Sequence, residues 1–402
     1  MMLLTGAVVW MSLSAVAEPL SVAFDDDGTV TVNGKRTLIV GSYSEAKSDR
    51  PYAELAEAGF NLLRMSPDPA AFDKAHEAGL MAWASVGSIN PDKRDESSQA
   101  LAATVDKIKS HPALALIETV DEPAWSFMKA EQRVPWQLLE ETYKIIKKQD
   151  SRHLVYLNQA PTNLVKTLRL YNSGTDVVAC DIYPVNPGSK PSYALFPDGK
   201  QGDLNNEHIS QVGEYVDKMR QVTGPKRPLL MVLQAFAWEA LEDELGLKER
   251  REEKIQYPSY AQSRFMAFQS LIKGANGIVY WGSHSMPQPS QAWTDIKRVT
   301  REIADLSAPL SERAAPLKLA TDYHEMGHSV DDGVQTLAKE HDGHLYLFTC
   351  NADKSVCKAT LSGLDGWTSC AVLNENRNLP VENGGITDTW RRFDVHIYRL
   401  AK

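Results

Sequence analysis

From about residue 37 to residue 310 the chain repeats one pattern: an apolar run, a polar loop, a stretch of helical periodicity, then a glycine or proline stop. The apolar runs begin at Leu38, Phe60, Leu80, Leu114, Leu154, Val177, Leu229 and Gly277. Most do not alternate with polar residues, as suits strands buried on both faces of a parallel sheet. Helical periods fill the intervals, at 52–59, 70–79, 100–110, 137–148, 162–171, 209–222, 260–273 and 291–304, and Gly59, Gly79 and Gly274 stand at helix ends. Eight strand–helix pairs over about 270 residues predict an α/β chain folded as a (β/α)8 TIM barrel. A doubly wound open sheet is the competing architecture. It lacks support, because no strand is followed by a glycine-rich phosphate loop.

The flanks read differently. Residues 1–17 are apolar, uncharged and end in Ala15-Val16-Ala17, which reads as a signal peptide cleaved before Glu18, although its basic leading segment is missing. Exported protein, secreted or periplasmic, is the expectation, with no membrane attachment after cleavage. Residues 18–36 hold two short alternating runs around Asp25-Asp-Asp-Gly28, an N-terminal β-hairpin. The aspartates resemble the start of a calcium loop, but the glutamate at loop position 12 is absent, so no metal is expected there. Beyond Leu310 the period changes again. Runs at 343–349, 357–361 and 393–399 between Gly, Asn and Asp turns predict a small C-terminal antiparallel β-sandwich over 311–402.

The candidate chemistry centres on Leu114-Ala-Leu-Ile-Glu-Thr-Val-Asp-Glu-Pro123, an apolar run ending in paired carboxylates and a proline. Read as a barrel strand, it delivers Asp121 and Glu122 to the rim, where barrel sites form. Read as a helix N-terminus, Asp121 would only cap it. Other strand ends supply Ser42 and Tyr43, Arg64, Trp83, Asn158, Asp181 and Tyr183, Gln234, and Trp281 with His284. The set is polar, aromatic and acidic, without a metal-ligand triad, and no cofactor is expected. It suits a neutral polyhydroxylated substrate and acid/base work by carboxylates. A formal net charge of -9 with no basic run excludes nucleic acid as the natural partner. Nine tryptophans and fourteen tyrosines supply faces on which sugars stack, Trp125 and Trp238 among them, whereas Trp136 and Trp293 at helix starts read as packing. Cys180 reads as a buried thiol, and Cys350, Cys357 and Cys370 allow one disulfide, with Cys357–Cys370 preferred.

Gly59-Phe-Asn61, His111-Pro-Ala-Leu114, Asp121-Glu-Pro123, Asp181-Ile-Tyr-Pro184, Gln234-Ala-Phe236 and the run Gly274 to Trp281 occur in an order that resembles clan A glycoside hydrolases. The resemblance covers the barrel, with the β-domain as a common appendage. It implies Glu122 as the strand-four general acid, Arg64 as the strand-two arginine, Tyr183 as the strand-six aromatic and Trp281 as the floor of a sugar subsite. The chain departs from the clan where a retaining enzyme needs its nucleophilic glutamate, because Gln234 stands at the end of strand seven.

Three readings stay open: inversion, with Asp181 as base across a gap of about 6.5–9.5 Å; retention through Glu239 or a substrate group; or glycan binding without hydrolysis. Beside these, Asp181 reads equally as a structural cap, and Glu239, with Glu242 and Glu244, as solvated acidic surface. His324-Glu-Met-Gly-His328 matches a zinc-peptidase pattern, but Gly327 and the lack of an amphipathic helix around it argue against a metal site.

Overall fold

The computed structural model describes residues 18–125, 133–186, 206, 208–244, 246, 250–324, 330 and 332–402. The signal-like segment 1–17 and His328 lie outside the described residues. Three short antiparallel strands, β1 (Val22–Phe24), β2 (Val30–Val32) and β3 (Lys35–Arg36), precede a closed barrel. Its parallel strands are β4 (Ile39–Ser42), β5 (Leu62–Met65), β6 (Met81–Ser85), β7 (Leu114–Glu118), β8 (Leu154–Gln159), β9 (Val177–Ile182), β10 (Leu229–Gln234) and β11 (Gly277–Trp281). All eight apolar runs of the sequence are strands of this barrel. The fold class read from the pattern is the observed one.

Helices α1 (Pro51–Glu57), α2 (Pro69–Glu77), α3 (Arg94–Ile108), α4 (Trp136–Gln149), α5 (Val165–Leu170), α6 (Gln211–Thr223), α7 (Trp238–Glu244), α8 (Tyr260–Ile272), α9 (Gln291–Asp305) and α10 (Ser307–Ser311) surround it. Pro51 and Pro69 open α1 and α2, where a missing N–H costs nothing. Gly59 follows α1 at φ +93°, and a Cβ there would meet Thr300 O of α9 at 2.7 Å, so backbone conformation and packing both demand glycine. Helix α7, which the periodicity did not separate from the following loop, starts four residues after β10 ends.

Residue parity divides the barrel into two shells. Val40, Leu63, Ile117, Val155, Cys180, Met231 and Ile278 point outward into the core shared with the helices. Ile39, Leu62, Trp83, Leu116, Tyr156, Ala179, Val232 and Val279 fill the barrel, and Val22 and Val30 of the hairpin join them from below. At the hairpin Arg36 pairs with Asp25 and with Asp27 (Nη2–Oδ2 2.6 Å), so the cation answering this acidic turn is an arginine.

The C-terminal strands form two antiparallel sheets. One is ordered β12 (Ala320–His324), β15 (Cys357–Ser362), β18 (Gly385–Trp390). The other is ordered β13 (Val334–His341), β14 (His344–Asn351), β19 (Val395–Ala401), β16 (Ser369–Val372), β17 (Arg377–Pro380). Phe348 of β14 stacks on Phe268 of α8, and Arg264 of α8 donates to Val395 O at 2.7 Å, which docks the sandwich on the barrel. The expected disulfide is not formed: all four cysteines are buried free thiols. Cys357 and Cys370 belong to opposite sheets and fill the sandwich core as small apolar side chains. His324 hydrogen-bonds Thr360 Oγ1 at 2.7 Å, and among the described residues no group of acids, histidines or cysteines has metal-ligating geometry.

Candidate active site

The parity that fills the barrel with Leu62, Leu116, Tyr156 and Ala179 carries on to Arg64, Glu118, Asn158 and Asp181 two residues later. At the C-terminal rim this side-chain row becomes polar. Strand β7 ends at Glu118, so Asp121 and Glu122 stand on the loop after it. Glu122 adopts φ +44°, a left-handed conformation unusual for a glutamate. Its N–H donates to Asn158 O at 3.1 Å, which ties the loop to strand β8.

Four acids come together here. Glu118 stands apart from the Asp-Glu-Pro motif that marks the rim in the sequence, and the inward parity of Leu116 points to it. Its side chain is 1% exposed and takes a 2.6 Å ion pair from Arg64 Nε, whose Nη2 also donates to Ser85 at 3.0 Å. Burial raises the Glu118 carboxyl, and Arg64 opposes that. Asp121 is open to solvent on the loop after β7, and burial raises it too, against a hydrogen bond from Asn158. Asp181 is buried, and its carboxyl is hydrogen-bonded to that of Glu122. Burial, then the charge of Glu122, hold Asp181 well above the usual carboxylate range. Two carboxyls placed together each disfavour the other's ionised form.

An aromatic wall faces the acids. Tyr183 and Trp281 stack at 5.4 Å with an interplanar angle of 25°, and Phe236 meets Trp281 edge-on at 5.1 Å. Gly282, at φ +95°, makes that contact possible, since a Cβ would strike the Phe236 ring at 2.5 Å. His284 packs edge-on to Trp281 at 5.5 Å and is exposed. Trp238 donates its indole N–H to Tyr183 O at 3.1 Å. Below, Tyr43 and Tyr156 join hydroxyls at 3.1 Å, and Tyr43 lies under the Arg64 guanidinium.

No family model matches the chain, and neither does any curated protein sequence. Solved structures do. An α-amylase from Geobacillus thermoleovorans, complexed with acarbose, superposes with a TM-score of 0.56 at 10% identity, over 92% of this chain and 100% of that one. A glycoside hydrolase family 5 protein from Bacteroides vulgatus gives 0.57 at 12%, over 96% and 93%. A family 30 endoxylanase from Clostridium papyrosolvens gives 0.50 at 13%, over 95% and 100%. What the chain shares with these three enzymes is the (β/α)8 fold. At such identities the likeness is one of fold, and the site must be judged on its own residues.

Within this barrel, Arg64, Asp121, Glu122, Asn158, Asp181, Tyr183 and Trp281 gather at the rim, with Trp238 and His284 at the edge of the aromatic wall. Trp125 is half-buried on the Glu122 loop, its N–H donating to Glu122 O at 2.9 Å. Ser42 and Trp83 are fully buried and do not reach the cleft. Ser42 hydrogen-bonds Ser44 O, and Trp83 packs one layer down between Tyr43 and Tyr156.

Gln234 is not arranged to orient a substrate. Its side chain is buried, and its amide accepts from Val185 N at 2.9 Å and donates to Val185 O at 3.0 Å and Phe236 O at 3.1 Å. It acts as a clip between strand ends. A carboxylate has no hydrogen to offer two carbonyls, which accounts for an amide at this place. Glu239 is not solvated surface either. It is fully buried on α7 and held by both nitrogens of an Arg251 fork at 2.8 Å each.

Proposed function

We propose that the protein is an exported glycoside hydrolase, secreted or periplasmic, that cleaves O-glycosidic bonds of an oligo- or polysaccharide. The observation that carries this reading is the Glu122–Asp181 carboxyl pair facing a stacked Tyr183–Trp281 platform. The platform suits the apolar face of a sugar ring, and the pair, in which each acid disfavours the other's charge, shares a proton for the leaving oxygen. Glu122, the more exposed member, passes that proton to the glycosidic oxygen, Asp181 is left ionised beside it, and solvent returns a proton to the pair after the product leaves.

The contact between these carboxyls departs from the expected inverting arrangement, in which about 6.5–9.5 Å would leave room for water between acid and base. Asp181 therefore belongs with the acid. Among the four acids gathered here, Asp121 is the solvent-open carboxylate left to take the proton of an attacking water. Arg64, held by Glu118, orients a hydroxyl.

A glycan panel followed by NMR at the anomeric proton tests this on the protein beginning at Glu18. An inverted first product, lost in Glu122→Gln and Asp121→Asn, supports the scheme; a retained first product sinks the water route through Asp121. The second reading, glycan binding without cleavage, is favoured by Gln234 in place of a strand-seven carboxylate. Saturable binding with no product across the panel would select it. Export is tested by N-terminal sequencing of protein recovered from outside the cytoplasm, expected to start at Glu18.

A further inference from the structure

Asn158 is joined to three acids at once. Its backbone carbonyl accepts the Glu122 N–H at 3.1 Å. Its side-chain nitrogen donates to Asp121 Oδ1 at 3.0 Å and to Asp181 Oδ1 at 3.3 Å. An amide nitrogen carries two hydrogens, so both are used. Its Oδ1 is buried without a hydrogen-bond partner. Flipping the amide would set that oxygen against two carboxylates, so the acids dictate the orientation at the expense of the amide's own oxygen.

We propose that Asn158 is the positioning residue of the acid cluster, its one amide group holding Asp121 and Asp181 in fixed relation to Glu122 by spending one hydrogen on each. The role in catalysis rests on the reading of Glu122 and Asp181 as the acid pair; the positioning itself does not.

The amide favours the ionised form of both aspartates against burial and mutual repulsion. Without it, burial and mutual repulsion act unopposed by the amide, and the protonated forms of both aspartates gain. Facing Asp181 are Glu122, Asp121, Tyr183 and Tyr156. Arg64, Glu118 and Tyr43 face Asp121. Arg64 is the one cation in these sets and is already bound to Glu118, so among the described residues named here none stands in for the amide.

The test is an NMR titration of the whole chain carrying 13C-carboxyl aspartate, which needs no substrate. In Asn158→Ala the midpoints of Asp121 and Asp181 are both expected to rise by about one unit, a tenfold gain in proton affinity. The Glu122 N–H anchor survives, because it uses the backbone of residue 158. Asn158→Asp adds a carboxylate in the same volume and is expected to raise them further. A folded Asn158→Ala in which either midpoint stays put overturns the proposal.

If the variants fail to fold, the unaltered protein still decides it. One Asn158 amide proton should track the titration of Asp121 and the other that of Asp181, and two protons tracking a single titration, or none, overturn the assignment. Moved midpoints in a protein that turns over no glycan would leave the positioning intact and remove hydrolysis; turnover with unmoved midpoints would do the reverse.

Discussion

Each end of the barrel carries a group of acids, and the two are built on opposite terms. At the hairpin end, Asp25 and Asp27 close on Arg36, and Arg313 reaches Asp26 at 2.6 Å. Although burial alone would raise it, Asp27 is brought down to about 2 by the Arg36 and Thr29 hydrogen bonds. At the mouth, Asp181 meets Glu122, another acid, and is driven up by burial and by that charge. Acids matched to arginine stabilise the fold where they stand. Acids matched to acids cost stability, and such arrangements concentrate where chemistry is done.

The contrast can be broken most forcefully at Glu122. Glu122→Gln should lower turnover about 10²–10⁴-fold, some 3–5 kcal/mol of barrier, with the circular dichroism spectrum unchanged. Equal activity in the variant would remove the mouth acids from catalysis.

Gln234→Glu comes next. It is expected to destabilise by about 3 kcal/mol in urea unfolding, because a buried carboxylate would face the carbonyls of Val185 and Phe236. Gain of a retaining activity would refute the clip.

Asp181→Asn should stabilise by about 1–2 kcal/mol at pH 7 while impairing turnover. The folded carboxyl titrates above its unfolded value, so the native protein loses stability as pH rises from about 4 through the folded midpoint. The asparagine variant escapes that loss. Its advantage should therefore grow with pH, and a constant gap would contradict the shared proton.

The smallest effect belongs to the hairpin. Asp27→Asn should cost about 0.5–1 kcal/mol at pH 7, less in high salt, since the pair is part-exposed. Here the folded value is depressed, so the contribution is present above about 4 and lost as pH falls toward 2. The opposite slopes of the two variants with pH would be the sharpest form of the comparison.

Much of this was legible in the chain. The strand at Leu114 could be read because both faces of a parallel barrel strand are apolar, and Gly59 because α1 must stop where α9 passes. Arg64, Glu122, Asp181 and Trp281 could be named because rim positions follow strand ends. Glu118 was equally legible by parity and was missed, since a charged residue inside an apolar run reads as its end rather than as part of its inner face. Trp83 has the composition of a rim residue but lies one layer too low, a depth set by strand stagger around the barrel.

Sequence alone determined the eight strand–helix units, their order and the glycines that stop them, because those depend on local periodicity and backbone freedom. Tertiary structure decided which carboxyls meet. Glu122 and Asp181 are 59 positions apart, and their contact depends on β9 and the loop after β7, on either side of β8, ending at matching height. It also decided that Gln234 clips backbone, that Arg251 neutralises Glu239, and that Cys357 and Cys370 face one core from opposite sheets. Partner choice across space is set by the closure of the whole barrel and the stacking of two sheets, and no local stretch of the chain carries that information.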